Sequence, residues 1–105
     1  MAIVNAKAND LAELVAEDFV IVDFYSTTCA PCKMFARILE DLDTEIPFLS
    51  IVKVNISEYP ELAKDYDIKA VPTILFFKDG EIAERYLGVL GYTQMKEHIA
   101  QYMYG

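Results

Sequence analysis

A pair of cysteines between a predicted strand and a predicted helix constrains this chain more than any other feature. Cys29 and Cys32 are its only cysteines, and two residues separate them. Before them, residues 19–25 read FVIVDFY, a β-branched and aromatic run of strand length. After them, apolar residues recur at helical spacing, at Met34, Phe35, Ile38, Leu39 and Leu42, and we expect Met34 to lie in the core with the others. The pair is therefore predicted to lie where a buried strand leads into a helix.

Length and charge limit what the chain can be. It has 105 residues, near the commonest domain size, and 54% of them are hydrophobic. Nine basic and 17 acidic residues give a net charge of −8, and so acidic a surface repels phosphate backbones and anionic lipids. We therefore expect a single domain over residues 1–105 that binds neither nucleic acid nor membranes.

The chain begins without the basic and apolar segments of a signal peptide, and its apolar runs are far shorter than a bilayer span. We therefore expect a cytoplasmic protein; a mature secreted form that has lost its leader stays open as an alternative. In a reducing cytosol a close cysteine pair is more often redox-active or metal-binding than structural.

The order of elements predicts an α/β fold with a mixed sheet covered on both faces. Strand, helix and strand follow each other between residues 19 and 55, which implies parallel pairing through a right-handed crossover. Asp79-Gly80 is a hairpin signal, so the strands on either side of it should pair antiparallel. Residues 2–4 are predicted as an edge strand. The predicted helix N-caps are Asn9 or Asp10, Ser57 and Thr93.

The position of the cysteine pair gives its two sulfurs different chemistry. Unpaired N–H groups and the positive dipole end at a helix start favour the thiolate of Cys29. Cys32 lies nearly one turn further along and should be more shielded. This asymmetry suits an exchange in which Cys29 attacks a disulfide and Cys32 then displaces the substrate. Pro31 stiffens the turn at no cost in hydrogen bonds. The alternative is a pair of free cysteines that fill a core, which the polar residues around the pair disfavour.

A carboxyl inside the apolar strand is the second informative feature. A lone buried carboxylate is costly unless it is paired or neutral. Asp23 therefore either faces solvent on a half-covered strand, or is a buried acid with a raised pKa that takes up and returns the Cys32 proton. Lys53, on the next predicted strand, is either its charge partner or a surface lysine at a strand edge.

With these residues in place, the chain resembles the thioredoxin family. Four segments match in family order and spacing over essentially the whole chain: VDFYSTTCAPCK, VKVNI, AVPTILFFKDGE and YLGVL. The resemblance implies a thioredoxin fold, with a central sheet of about five strands and about four helices. It implies Cys29 as nucleophile and Cys32 as resolving thiol of a protein-disulfide reductase. Its partners would be protein disulfides and a reductase that supplies electrons.

The resemblance also assigns the remaining site residues. Asp23 matches the buried acid of the family and Lys53 the lysine near it. Pro72 matches a cis-proline that packs beside the cysteines and keeps metal away, although the local pattern leaves the isomer open. The substrate-binding residues are then Thr28, Ala30, Pro31, Val71, Pro72 and Gly88. We expect no cofactor and no metal, and nothing in the sequence demands more than a monomer.

Several positions depart from the family signature W-C-G-P-C. Thr28 replaces the tryptophan and Ala30 the glycine, and Tyr25 stands where a second tryptophan is common. Arg37 occupies the place of a proline that commonly kinks the helix. These changes leave the two thiols in place and alter the surface on which partners dock. We therefore expect an atypical member with a dedicated or restricted reductase.

Three other functions compete with the reductase. An oxidant or isomerase could use the same fold. Two chains together could hold a metal or an iron–sulfur cluster through four cysteines. A binding module could use the same surface without redox chemistry.

Overall fold

One five-stranded sheet organises the structure, a computed structural model that describes residues 3–104. The strands are β1 (Ile3–Asn5), β2 (Phe19–Tyr25), β3 (Ser50–Asn55), β4 (Thr73–Lys78) and β5 (Glu81–Leu87). The helices are α1 (Leu11–Leu14), α2 (Ala30–Glu45), α3 (Pro60–Asp65) and α4 (Tyr92–Tyr104). The predicted α/β architecture of five strands and four helices is confirmed.

The sheet is mixed, with β2 at its centre. Its order is β1-β3-β2-β4-β5, so β2 pairs parallel with β3 and antiparallel with β4. The β2–α2–β3 crossover and the β4–β5 hairpin are both as predicted. At the hairpin tip, Asp79 and Gly80 have φ of 54° and 83°, the positive values that a tight turn of this kind requires. The sequence pattern DG therefore identified the turn correctly.

Helices cover both faces of β2, because alternate residues of a strand point to opposite sides. Phe19 and Ile21 pack on the side of α2 and α4, in a cluster that includes Leu39 and Ile99. Val20 and Phe24 pack on the side of α1 and α3 with residues such as Leu11 and Leu62. Asp23, two residues after Ile21, therefore lies on the α2 side of the sheet.

The helix α2 presents a narrower apolar face than the sequence predicted. Cys32, Phe35, Leu39 and Leu42 are buried, whereas Met34 is 62% exposed. Met34 lies about 100° around the helix from Phe35, which places it outside the buried stripe. The prediction of Met34 in the core was wrong.

The predicted N-cap residues agree less well with the structure than the predicted helices do. Asp10 occupies the N-cap position of α1, but its carboxylate accepts a hydrogen bond from the Lys7 N–H at 2.7 Å instead of capping the helix. The N-cap residue of α3 is Tyr59, with Pro60 at the first helical position, and the Ser57 hydroxyl accepts a hydrogen bond from the Thr27 N–H at 3.2 Å instead. The predicted N-cap position of Asp10 is therefore confirmed without a side-chain cap bond, and the prediction of Ser57 as an N-cap was wrong.

The last helix and the first strand are also shifted from their predicted bounds. Thr93 lies inside α4, and the Gln94 side chain accepts a hydrogen bond from the Gly91 N–H at 2.9 Å just before the helix. The edge strand runs over Ile3–Asn5, and Ala2 of the predicted strand lies outside the described residues. In residues 3–104 no helix has both the length and the apolar character needed to cross a bilayer.

Candidate active site

The two cysteines lie at the start of α2, directly after β2. Cys29 is the N-cap residue, with an extended backbone, and its Sγ accepts a hydrogen bond from the Cys32 N–H at 3.1 Å. The two residues form a disulfide, with 5.2 Å between their Cα atoms. Cys29 is half-buried and Cys32 is 3% exposed, so only the first sulfur can be approached from solution. The alternative of free cysteines that fill the core was wrong.

A second segment approaches the cysteine pair from the loop before β4. The Val71 carbonyl oxygen lies 3.9 Å from the Cys29 Sγ, and the Val71–Pro72 peptide bond is cis. The Gly88 N–H donates to the Pro72 carbonyl oxygen at 2.8 Å. Gly88 has φ of 108°, a conformation that favours glycine. The structure therefore brings Val71, Pro72 and Gly88 together at the accessible sulfur.

The residues around the cysteines form an open surface. Thr28, Ala30 and Pro31 are all exposed, and Leu87 at the end of β5 is 63% exposed. An open surface around a half-buried sulfur is what another protein needs in order to bring its own disulfide within bonding distance. The arrangement therefore suits thiol–disulfide exchange between proteins.

Asp23 is buried beneath this surface without a polar partner. Its side chain is 0% exposed, and neither carboxylate oxygen has a hydrogen-bond partner among the described residues. Its strand neighbours are Lys53 on β3 and the apolar Ile74 on β4. Burial raises the pKa of Asp23 to about 7, against the opposing effect of the Lys53 charge. The alternative that Asp23 faces solvent was wrong.

Lys53 acts on Asp23 without forming an ion pair with it. No carboxylate of residues 3–104 is paired with its ammonium within 4.0 Å. The Lys53 Nζ lies instead 4.7 Å from the centroid of the Tyr25 ring. Lys53 and Tyr25, together with Cys32, line a pocket of about 210 Å³.

Tyr25 also lines this pocket, and in the sequence it stood out only as a departure from the family signature. The signal that points to it is its position two residues after Asp23, which places both side chains on one face of β2. Burial raises the pKa of Tyr25, and the negative charges of Asp23 and Glu58 act in the same direction.

Comparison with known proteins agrees with this geometry. The family model described as Thioredoxin matches residues 2–101. The chain belongs to the thioredoxin family. It is 39% identical over 80 residues to a thioredoxin of Chlamydia trachomatis, covering 76% of this chain and 78% of that protein. It is 42% identical over 89 residues to a thioredoxin of Bacillus subtilis, covering 84% and 86% of the two chains.

A solved structure supports the same assignment. A mutant thioredoxin from Halobacterium salinarum superimposes with a TM-score of 0.83 at 30% sequence identity, covering 95% of this chain and 88% of that chain. The predicted thioredoxin fold is confirmed. Family membership and the bonded cysteine pair identify a thiol–disulfide oxidoreductase that reduces protein disulfides. Family membership also implies disulfide-bonded protein substrates and a thioredoxin reductase as partner.

The raised pKa of Asp23 predicts a pH dependence of stability. The pKa is 3.8 for an unperturbed aspartate and about 7 in the folded chain. Between these values the unfolded chain releases the Asp23 proton while the folded chain retains it, so the free energy of unfolding falls as the pH rises. Each pH unit corresponds to about 1.4 kcal/mol, or about 4 kcal/mol over the whole interval.

We expect Asp23→Asn to remove this loss, because an amide does not ionise. Relative to the parent protein, the free energy of unfolding of the variant should rise by about 4 kcal/mol between about pH 4 and about pH 8. Denaturant unfolding of the disulfide form at a series of pH values measures the difference. Asp41→Asn, at an exposed acid of α2, is the matched control and should show no such rise. A difference that stays constant with pH for Asp23→Asn would contradict the account.

Proposed function

We propose that this chain reduces its substrates through a mixed disulfide formed by Cys29. The observation that carries this proposal is the hydrogen bond from the Cys32 N–H to the Cys29 Sγ at the N-terminus of α2. The same N–H, with the positive end of the helix dipole, stabilises a thiolate at this sulfur. Cys29 is also the sulfur that solution can reach.

The reaction then proceeds in two exchange steps. The Cys29 thiolate attacks one sulfur of the substrate disulfide, and the second substrate sulfur leaves as a thiolate and is protonated. The Cys32 thiol next loses its proton and attacks the Cys29 sulfur, which releases the first substrate sulfur. The substrate has gained two electrons, and the chain carries the Cys29–Cys32 disulfide. A reductase returns two electrons to this disulfide and restores the two thiols.

Asp23 is the proposed acceptor of the Cys32 proton. It lies on the α2 side of the sheet, the side on which Cys32 is buried, and its pKa of about 7 suits a group that gains and loses a proton near neutral pH. Burial keeps it protonated at lower pH, and the nearby Lys53 charge favours its ionised form. Asp23, with Lys53 beside it, therefore provides a buried proton acceptor on the side of the sheet where Cys32 lies.

The substrate would bind across the exposed surface around Cys29. An extended peptide can form backbone hydrogen bonds with the segment at Val71, in the manner of an added strand. Pro72 and Gly88 shape the groove beside it, and Thr28, Ala30 and Pro31 form its opposite border. Support for this assignment comes from the 3.9 Å separation between the Val71 carbonyl oxygen and the Cys29 Sγ.

Further properties follow as proposals from the sequence and the sheet. All five strands of the described part pair in one sheet, which supports a single domain over residues 1–105. We propose that this domain acts as a monomer in the cytoplasm and needs no cofactor or metal. Its acidic surface, with a net charge of −8, disfavours nucleic acid and anionic membranes as partners.

Trapping of the mixed disulfide tests the assigned order of the cysteines. Cys32→Ser should accumulate a covalent complex with insulin, a disulfide-linked protein, because no thiol remains to displace the substrate. Cys29→Ser should form no such complex and should lose catalytic insulin reduction. Non-reducing electrophoresis after acid quenching measures the complex, and the double variant Cys29→Ser/Cys32→Ser is the control. Trapping by Cys29→Ser and not by Cys32→Ser would reverse the roles.

The exposed Thr28 predicts restricted use of a conventional thioredoxin reductase. A tryptophan at this position would add a large apolar contact at the docking surface, and such contacts dominate many interfaces. Thr28→Trp should therefore raise kcat/KM with a conventional reductase by about tenfold. Thr44→Trp, at an exposed position near the other end of α2, is the matched control and should have no effect. Equal turnover of the parent protein and Thr28→Trp would count against a restricted reductase.

A further inference from the structure

The register of the sheet brings three side chains of the pocket into one diagonal arrangement. In the parallel pairing of β2 with β3, Lys53 is the partner of Asp23, and Asn55 is the partner of Tyr25. Lys53 and Tyr25 are therefore diagonal neighbours on the α2 side of the sheet, within reach of long and aromatic side chains. The contact is made, because the Lys53 Nζ lies 4.7 Å from the centre of the Tyr25 ring.

The Tyr25 ring is the group that holds the Lys53 ammonium in position. An ammonium within about 6 Å of a ring centre is attracted to the face of the ring. Lys53 has no ion pair within 4.0 Å among residues 3–104 that could hold its ammonium elsewhere. A lysine side chain without such a contact extends its ammonium into water, where hydration is strongest.

Few other charges face Asp23. Lys33 of α2 lines the same pocket, and Glu58 acts on Tyr25 from the segment after β3. On β4 the strand partner of Asp23 is the apolar Ile74. Lys53 is the charge that favours the ionised form of Asp23, so the position of its ammonium matters more than that of any other group.

We propose that Tyr25 is a positioning residue, whose ring holds the Lys53 ammonium in the pocket beside Cys32 and thereby keeps a positive charge close to Asp23. This inference rests on the proposed role of Asp23 as the acceptor of the Cys32 proton. Tyr25 itself moves no proton in this account. It acts through Lys53, and only the face of its ring is needed.

If the ring positions Lys53 in this way, its loss should raise the pKa of Asp23. Loss of the ring removes an attraction that favours the bound ammonium by about two- to fivefold, so Lys53 spends more time in water. Its charge then favours the Asp23 carboxylate less, and the pKa of Asp23 rises. Loss of the Lys53 charge itself should raise this pKa further.

The experiment is a double-mutant cycle with the pKa of Asp23 as its readout. The carboxyl carbon of Asp23 is titrated by NMR in the disulfide form of the parent, Tyr25→Leu, Lys53→Met and the double variant. We expect Tyr25→Leu to raise the pKa by on the order of half the rise that Lys53→Met produces. In the Lys53→Met background, Tyr25→Leu should add no further rise, because no ammonium remains to be positioned.

Two further results separate this mechanism from others. Tyr25→Phe keeps the ring face and should leave the pKa of Asp23 where it is in the parent. A pKa that moves as far in Tyr25→Phe as in Tyr25→Leu would overturn the inference, because the hydroxyl would then be the active group. An equal rise from Tyr25→Leu with and without Lys53 would also overturn it, because the ring would then act on Asp23 independently of the ammonium. A fall of the pKa would overturn it as well, because the ring would then act by excluding water.

Activity measurements on the same variants keep this inference distinct from the proposed function. If the pKa moves as expected while the pH profile of insulin reduction does not follow it, the positioning by Tyr25 stands and the proton-accepting role of Asp23 fails. If the pKa of Asp23 shows none of the expected changes, the inference that Tyr25 positions Lys53 is wrong, whatever the activity measurements show.

Discussion

The burial of β2 on both faces is the constraint on which the rest of this structure depends. The strand lies between β3 and β4, and its residues from Phe19 to Phe24 are all buried. Water is therefore excluded from both sides until the strand ends at Tyr25. At that end the chain turns into α2, and the cysteine pair occupies the turn. This one strand therefore buries Asp23 away from water and leads directly into the turn that holds Cys29.

The start of α2 gives the sulfurs of Cys29 and Cys32 different surroundings. Cys29 receives the N–H at the start of the helix and faces solution, whereas Cys32 points inward on the side where Asp23 is buried. Burial of Asp23 lowers stability above about pH 4, because the folded chain resists the ionisation that water would allow. A buried acid that lowers the stability of the folded chain is typical of a functional site, where polar groups depart from the rules of core packing.

The sequence predicted the parts of the site that depend on local pattern. The strand β2, the helix α2 and the DG hairpin follow from periodicity and turn chemistry, and the position of Cys29 at the helix start followed from them. The helix caps were harder to predict, because Ser57 has a competing hydrogen bond to the Thr27 N–H, a contact between distant parts of the chain. Burial of Asp23 could not be decided, since it depends on which helices cover the strand.

Two features of the site lay beyond the sequence for specific physical reasons. The isomer of the Val71–Pro72 bond was open because the two forms of an X-Pro bond differ little in free energy. The contact of Lys53 with Tyr25 depends on the register between β2 and β3, which periodicity alone does not give. The family resemblance supplied the roles of Asp23 and Lys53, and the structure added the Tyr25 ring, which the Lys53 ammonium contacts.

The most direct measurement of the central claim is the pH dependence of the step in which Cys32 displaces the substrate. Single-turnover reduction of a disulfide peptide by the dithiol form, followed by rapid acid quenching, gives the rate of decay of the mixed disulfide. If Asp23 accepts the Cys32 proton, this rate changes with an inflection near pH 7 in the parent. Asp23→Asn should lack the inflection and be slower by about 100-fold at neutral pH. Equal rates and the same inflection in both proteins would contradict the account.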